Sequence, residues 1–593
     1  MSSPFQIAVH RPPARVPLAV IDMHGELDAV SSPQLEKAAA EAFSQGASHL
    51  LLDLSGVSFM GSAGLRALVA IDEMLRARSG PAAGDQDPAT AATSFKSPNL
   101  KLLSPSPAVA RTLRLSGFEM VFDIFDDRQA AVASFTSPIG EATRTTAGES
   151  TPHFPYDAGL PDEALAALRG KRFLIVMGSY PGKRFMYERA RQLGARLVVL
   201  DGPGHWTQAE VGGLFEQFIE VDLQPADTLA DRAMRAVRQS KLQFDGVATF
   251  EEFAGPLAAL LAQGLKRPGH PFLATAYCRD KTLTRQVCIE AGIPSPRFYR
   301  IRAVDDLAAA AAHVGFPAVL KPVSGASSVS TYRVDDAGQL ARRYAQTMAA
   351  VRGHLKASGV HSNDEEELIW AKGFDMTLEQ FLDGEEFDVD VLLSRGEIAY
   401  AGVGRDLPQP YLREVGSRMP ADFPEEKQAE MIAFTALVLQ KMGFSEGSFH
   451  VELKYTSEGP RLIEVNARIG GAYIAKLHEW VWGVDLVGHY LLTRLGLPSH
   501  PRKAARPLTC IATSDLPCPT SGVITHTDYL TQIDDPHVIL KRVYVTLGQT
   551  VIGPDRGVPD TLGEIFVAAD SIEESSAILD DLLARIQFPI IPA

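Results

Sequence analysis

The sequence predicts a multidomain chain of α/β and α+β units, with a small α/β module in front of a larger assembly. Three observations carry this: a length of 593 residues, internal stretches poor in structure signals, and strand-length apolar runs alternating with helical spacing. A single hydrophobic core does not extend over such a length, and at about 150 residues per domain roughly four units are expected. Residues 79–98 and 136–162 are rich in Ser, Thr, Pro, Gly and Ala and read as flexible connections, and 355–367 reads as an acidic surface loop. The expected division is 1–135, a linker at 136–162, then 163–268, 269–500 and 501–593.

Each element follows from its pattern. In the front module PLAVIDMHGEL and HLLLDLS are strands, SPQLEKAAAEAF is a helix opened by a Ser cap, AGLRALVAIDEMLRA is a second helix and NLKLLS a third strand. Behind the linker, KRFLIVMGSY reads as a buried parallel strand, followed by a helix (FMYERARQLGA), a strand (RLVVLDGP) and a further strand (KLQFDGVATF). From 271 to about 500 helices interleave with hairpin-like strands such as FPAVLKPVSGASSVSTYRV. The last piece carries the strands PLTCIAT, VILKRVYVTLG and LGEIFVAA and an amphipathic helix.

Composition narrows the function. A hydrophobic content of 46% and a charged content of 22% are ordinary for a soluble globular protein. A formal charge of −15 argues against a nucleic-acid partner, which needs a basic face. No window nears the ~20 apolar residues that span a bilayer, and MSSPFQIAVHRPP lacks the apolar core of a signal peptide, so a cytoplasmic protein without membrane contact is expected. Cys278, Cys288, Cys510 and Cys518 have no metal-ligand spacing and read as small buried hydrophobes.

Four segments carry chemistry. A buried strand delivers Lys321, and the Gly/Ser-rich turn after it, with Ser324, Gly325, Ser327 and Ser328, offers backbone N–H groups to phosphate oxygens. It is not a Walker A loop, and a surface hairpin with a snorkelling lysine is the rival reading. Arg279-Asp280-Lys281 opens a helix, where Asp280 also suits a cap. Glu379-Gln380-Phe381-Leu382 is a strand edge whose main chain can read a base, with Glu386 nearby to accept from ribose hydroxyls. Last, Glu452 lies on one strand, and Glu464 and Asn466, two apart on another, face one side. Two carboxylates and an amide oxygen suit Mg²⁺ beside phosphates, and Arg468 can stabilise charge on a transferring phosphoryl group or a tetrahedral intermediate. His450 reads as structural, and Trp480 and Trp482 as core.

In this order the four segments resemble the ATP-grasp superfamily over about residues 170–590. The resemblance implies that Lys281 and Lys321 contact nucleotide phosphates under a closing 324–330 loop, that 379–382 form the adenine hinge and that Glu386 meets the ribose. It implies two Mg²⁺, with Mn²⁺ as a substitute, on Glu452, Glu464 and Asn466, and Arg468 as the catalytic arginine. The run E-V-N-A-R-I-G-G and the C-terminal part resemble the L-amino-acid ligase and carnosine synthase branch, which joins amino acids into dipeptides, often as homodimers. Glu414 matches an acid near the incoming amine, while Ser417 stands where related enzymes often carry histidine. Leu51-Leu-Asp53-Leu-Ser55 through Ser62-Ala-Gly64-Leu65 resembles the STAS domain of anti-sigma-factor antagonists, over about 5–135. Its phosphorylated serine falls on Ser62, which reads equally as a helix N-cap, and Gly61 stands where that family has an acid. The expected activity is ATP-dependent joining of a carboxylate to an amine through an acyl-phosphate, with ADP and phosphate released. The STAS-like module is then a docking place for a protein partner. The alternatives are a nucleotide-binding signalling protein read out through that module, and a ligase acting on a protein tail or a natural-product intermediate.

Overall fold

A computed structural model describes the chain except residues 1–4, 13, 15, 29, 61–63, 65, 66, 69, 73, 76–96, 98, 107, 108, 111, 112, 114–121, 136–159, 224–227, 325–329, 358–374, 408–411, 413, 414, 472, 555–558 and 593. Among the calls made from sequence, Ser62, Gly325, Ser327, Ser328 and Glu414 lie outside the described residues.

The front module is a five-stranded sheet ordered as Gln6–His10, Leu18–Leu27, His49–Met60, Leu100–Leu103 and Asp123–Phe125. The first pair is antiparallel and the others parallel. Its helix Ser32–Ser44 packs Leu35, Ala39 and Ala42, spaced by three and four residues, onto the sheet. The expected serine cap is not made: the Ser32 hydroxyl donates to the Asp28 carbonyl, and that of Ser31, the residue at the N-cap, donates to the Glu26 carbonyl at 2.7 Å, tying the entry loop back to the strand.

Behind it stands a four-stranded parallel sheet, ordered as Gln217–Glu220, Arg196–Asp201, Arg172–Val176 and Gly246–Ala248. The central runs 173–176 and 197–200 are apolar and buried because both faces are covered. One of those covers is the helix Leu486–Arg494: Val487, Tyr490 and Leu491 share a core with Phe173, Ile175 and Met186.

Among the described residues three antiparallel sheets make the rest, one of them a short sheet of Thr550–Val551, Gly522–Ile524 and Ile590–Pro592. Of the other two, the smaller orders Phe298–Ile301, Met376–Gln380, Ala318–Pro322 and Tyr332–Val334. The larger has eight strands, beginning Gly459–Asn466, Gly447–Thr456, Glu385–Ser394 and Glu397–Asp406. It continues through Ser417–Met419 into the C-terminal strands Cys510–Pro517, Thr561–Ala569 and Val538–Val543.

Alternation along the larger sheet separates core from site. Phe387, Val389, Val391, Phe449, Val451 and Leu453 point to one face and pack on Met431, Val438 and Leu439 of the helix Glu425–Met442. Each such aromatic or aliphatic side chain contributes about 1.5–3 kcal/mol on burial. The intervening residues Glu386, Asp388, Asp390, His450, Glu452 and Lys454 therefore share the opposite face. On Gly459–Asn466 the alternation slips by one at a bulge, since Glu452 pairs with Glu464 but Leu453 with Leu462. The extra residue, Ile463, lets Leu462 and Val465 stay in the core while Glu464 and Asn466 join the polar face.

Candidate active site

The polar face of the larger sheet, the smaller sheet and the loops of the parallel domain enclose a cavity of about 620 Å³. Lys281, Lys321, Glu379, Gln380, Phe381, Leu382, Glu386, Glu452, Glu464, Asn466 and Arg468 all line it, so segments up to 187 residues apart in the chain (281 to 468) converge.

Its cations and acids are interlocked. Lys321 and Thr377 are partners across two strands, as are Val319 and Glu379, which brings the Lys321 ammonium to 2.9 Å from the Glu379 carboxylate. Arg285 reaches the same carboxylate oxygen at 2.9 Å and also donates to the Ile463 carbonyl at 2.8 Å. Burial alone would push Glu379 up, but Arg285 and Lys321 hold its carboxyl down at about 2. Burial lowers the Lys321 ammonium, with Glu379 opposing. Asp280 caps its helix by accepting from the N–H groups of Thr282 and Leu283, each at 3.0 Å, which sends Lys281 inward to Glu464 at 2.9 Å.

At the hinge segment the N–H of Gln380 donates to the Arg297 carbonyl at 2.8 Å and that of Phe381 to Pro317 at 3.2 Å. Glu386 faces Lys454 at 4.0 Å. Ser324 accepts from Arg279 at 3.3 Å, which joins the start of the expected phosphate loop to the site.

The acidic end of the cavity has an imbalance. Burial and the facing Glu464 push the Glu452 carboxyl well above the usual carboxylate range. The Asn466 amide satisfies its nitrogen by donating to the Glu252 carboxylate at 2.9 and 3.1 Å. Its oxygen then takes the position 3.3 Å from the Glu452 Oε1 atom, so two acceptors face one another. Two carboxyl groups and an amide oxygen converging here are hard oxygen donors that fit a divalent cation, whose charge would relieve the repulsion between Glu452 and Glu464. His450 is no bystander: it donates to Asp390 at 3.0 Å, and although burial lowers it, Asp388 and Asp390 raise it to about 10.

Sequence reasoning passed over Glu252, which the parallel domain contributes. It pairs with Arg468 at 2.9 Å and with Arg279, locking that domain to the site. Burial pushes its carboxyl up, but Arg468 and Arg279 hold it low. Arg285, Lys183, Asp388 and Asp515 also line the cavity unforeseen. The available signal for Glu251 and Glu252 was their place just beyond a strand end of an α/β domain.

Known proteins resemble the chain domain by domain. Residues 314–476 match the ATP-grasp domain, 187–269 the ATP-grasp N-terminal domain and 9–82 the STAS domain. The chain thus carries ATP-grasp domains behind a STAS domain. It is 30% identical to carnosine synthase 1 of Gallus gallus over 364 residues, covering 58% of this chain and 38% of that protein. It is 29% identical to the D-alanine–D-alanine ligase of Ectopseudomonas mendocina over 221 residues, covering 36% and 63%. The chain thus spans about two fifths of the carnosine synthases it matches. The fold is shared with the L-amino acid ligase of Bacillus licheniformis: TM-score 0.57, 24% identity, 72% of this chain and 99% of that one. Among the described residues no helix is long and apolar enough to cross a membrane.

Proposed function

We propose that the protein is an ADP-forming ligase that joins a carboxylate to an amine, both amino acids or close to them, through an acyl-phosphate. The single observation that carries this is one cavity holding a cation cluster, a base-reading strand edge, an acid–acid–amide trio and a buried arginine. The same cavity motivates the division of labour among residues 163–268, 269–500 and 501–593.

Lys321 and Lys281 take the nucleotide phosphates, Leu382 and the neighbouring carbonyls read the base, and Glu386 accepts from the ribose. Glu452, Glu464 and Asn466 would hold Mg²⁺ through their oxygen atoms. When bound, Mg²⁺ neutralises charge on the transferring phosphoryl group.

Lys321 and Arg468 offset the charge that spreads as the substrate carboxylate oxygen bonds the γ-phosphorus and the bond to ADP breaks. The amine nitrogen then bonds the acyl carbon, the acyl carbon–oxygen bond breaks, phosphate leaves with the electron pair, and the proton shed by the nitrogen passes to the departing phosphate. The Glu414 carboxylate is placed by resemblance beside the amine, and Ser62 is the candidate phosphorylation site of the STAS domain. The location we propose is the cytoplasm, and the assembly a homodimer.

The test is ADP release by purified protein with Mg-ATP and paired amino acids, with mass spectrometry of the products. Release that needs both substrates and yields their condensed mass is expected. ATP binding with no turnover by any amine would instead favour a nucleotide sensor read out through the STAS domain, and a product mass on a protein or larger scaffold would name a different acceptor.

A further inference from the structure

The parallel sheet winds outward from Arg172–Val176 through Arg196–Asp201 to Gln217–Glu220, then returns to place Gly246–Ala248 on the other side of Arg172–Val176. The crevice beyond the carboxyl ends of strands at such a reversal is where open α/β sheets bind ligands. Two loops leave this point, residues 177–183 and 249–252, and both reach the cavity.

The first loop is held in an uncommon backbone shape. Met177 and Ser179 have φ of 57° and 55°, the left-handed region. Trp206 and His205 donate to the Ser179 carbonyl at 2.7 and 2.9 Å, and the Gly178 N–H donates to Asp201 at 2.6 Å. A Cβ at Gly178 would meet Thr207 at 2.5 Å, so glycine is required there. What this clamp delivers is Lys183, 3% exposed, whose ammonium donates to the Phe250 carbonyl of the second loop.

Lys183 is unlike the other cations of the cavity. Lys281, Arg285, Lys321, Lys454 and Arg468 each have a carboxylate oxygen within 4.0 Å. Among the described residues Lys183 has no carboxylate at that distance, only the Phe250 carbonyl and the Tyr180 ring 5.4 Å from Nζ. A buried ammonium without a counter-ion is costly. Burial pushes it down to about 7 with Arg468 adding to the effect, while Glu251 and Glu252 oppose. An anion entering the crevice removes that penalty.

We propose that Lys183 is the counter-ion for the α-carboxylate of the amine-bearing amino acid, so that the crevice between residues 177–183 and 249–252 is the acceptor subsite. This rests on the ligase reading. The carboxylate being activated is consumed at the phosphate end, beside Lys281 and Lys321. The carboxylate that survives into the product is the acceptor's, and it suits a fixed charge at the far wall.

The experiment uses the full chain with Mg-ATP and a stimulating amino-acid pair, comparing the acceptor with its C-terminal amide. The amide should raise the acceptor KM on the order of 10- to 100-fold with kcat little changed, as expected for a lost charge-assisted hydrogen bond. In Lys183→Met the free acid and the amide should have equal KM, while the KM for ATP stays at the wild-type value. Equal KM in the wild type, or discrimination that survives in Lys183→Met, overturns the assignment. If Lys183→Met does not fold, the wild-type comparison decides. If no pair stimulates ADP release, the ligase reading fails. Calorimetric binding of the common amino acids and their amides then judges Lys183: preference for the free acids supports it and indifference overturns it.

Discussion

At the scale of single residues, Glu379 shows how a side chain can matter without touching substrate. It was read as part of a base-binding edge, yet its carboxylate is spent on Lys321 and Arg285, both buried. Removing the charge leaves two buried cations short of an anion, so Glu379→Gln should cost about 3–5 kcal/mol in denaturant unfolding. The pH dependence has a definite sign. The folded carboxyl sits at about 2 against an ordinary 4.5, so the unfolded chain binds the proton first. The stabilisation is complete above about pH 4.5 and is lost as pH falls towards 2, and unfolding midpoints of Glu379→Gln should be flatter across that window than wild type. At the reacting end, Arg468→Ala and Glu464→Gln should each lower ADP formation by roughly 10²-fold or more. Unchanged ADP formation in either would refute their assignment.

At the scale of elements, the strand Gly459–Asn466 decides where the metal-binding trio points. Simple alternation back from Asn466 and Glu464 would put Leu462 in the cavity, whereas it is fully buried in the core because Ile463 is an inserted bulge residue. The bulge also turns the Ile463 carbonyl to Arg285. The sheet is backed by the helix Glu425–Met442, whose Gly443 closes it in the left-handed conformation with φ 93°. Leu439 lies in its last turn, fully buried. Leu439→Ala should destabilise by about 2–5 kcal/mol in chemical denaturation and leave the affinity for Mg-ATP within about twofold of wild type, because that face carries packing and the other carries chemistry.

At the scale of the molecule, the front domain and the rest have separate cores. Among the described residues, the two apolar clusters of the front domain draw only on residues between Phe5 and Phe135. The next core begins with Leu160, packed with Leu193 and Tyr490. A chain of residues 156–593 should therefore unfold cooperatively and bind Mg-ATP as the full chain does. If its ADP release exceeds that of the full chain, the STAS domain restrains the site; if the rates agree, that domain acts on something else. Glu252 joins the parallel domain to Arg468 and Arg279 across the cavity, so closure of the site is a property of the assembly rather than of one domain.

Much of this was legible in the chain because strand alternation and glycine-rich turns are local, and local patterns survive without knowledge of partners. The α/β character of the front, the hairpin carrying Lys321, and the pairing of Glu452 with Glu464 belong to that class. The order of residues along the chain already lists the lysines, the strand edge and the oxygen donors proposed for phosphate, base and metal. That Glu379 serves Lys321 and Arg285, that His450 lies between Asp388 and Asp390, and that Glu252 and Lys183 line the cavity is set by the packing of distant segments. The physical reason is that these depend on burial and on counter-charges from segments distant in the chain, and neither has a periodicity to read.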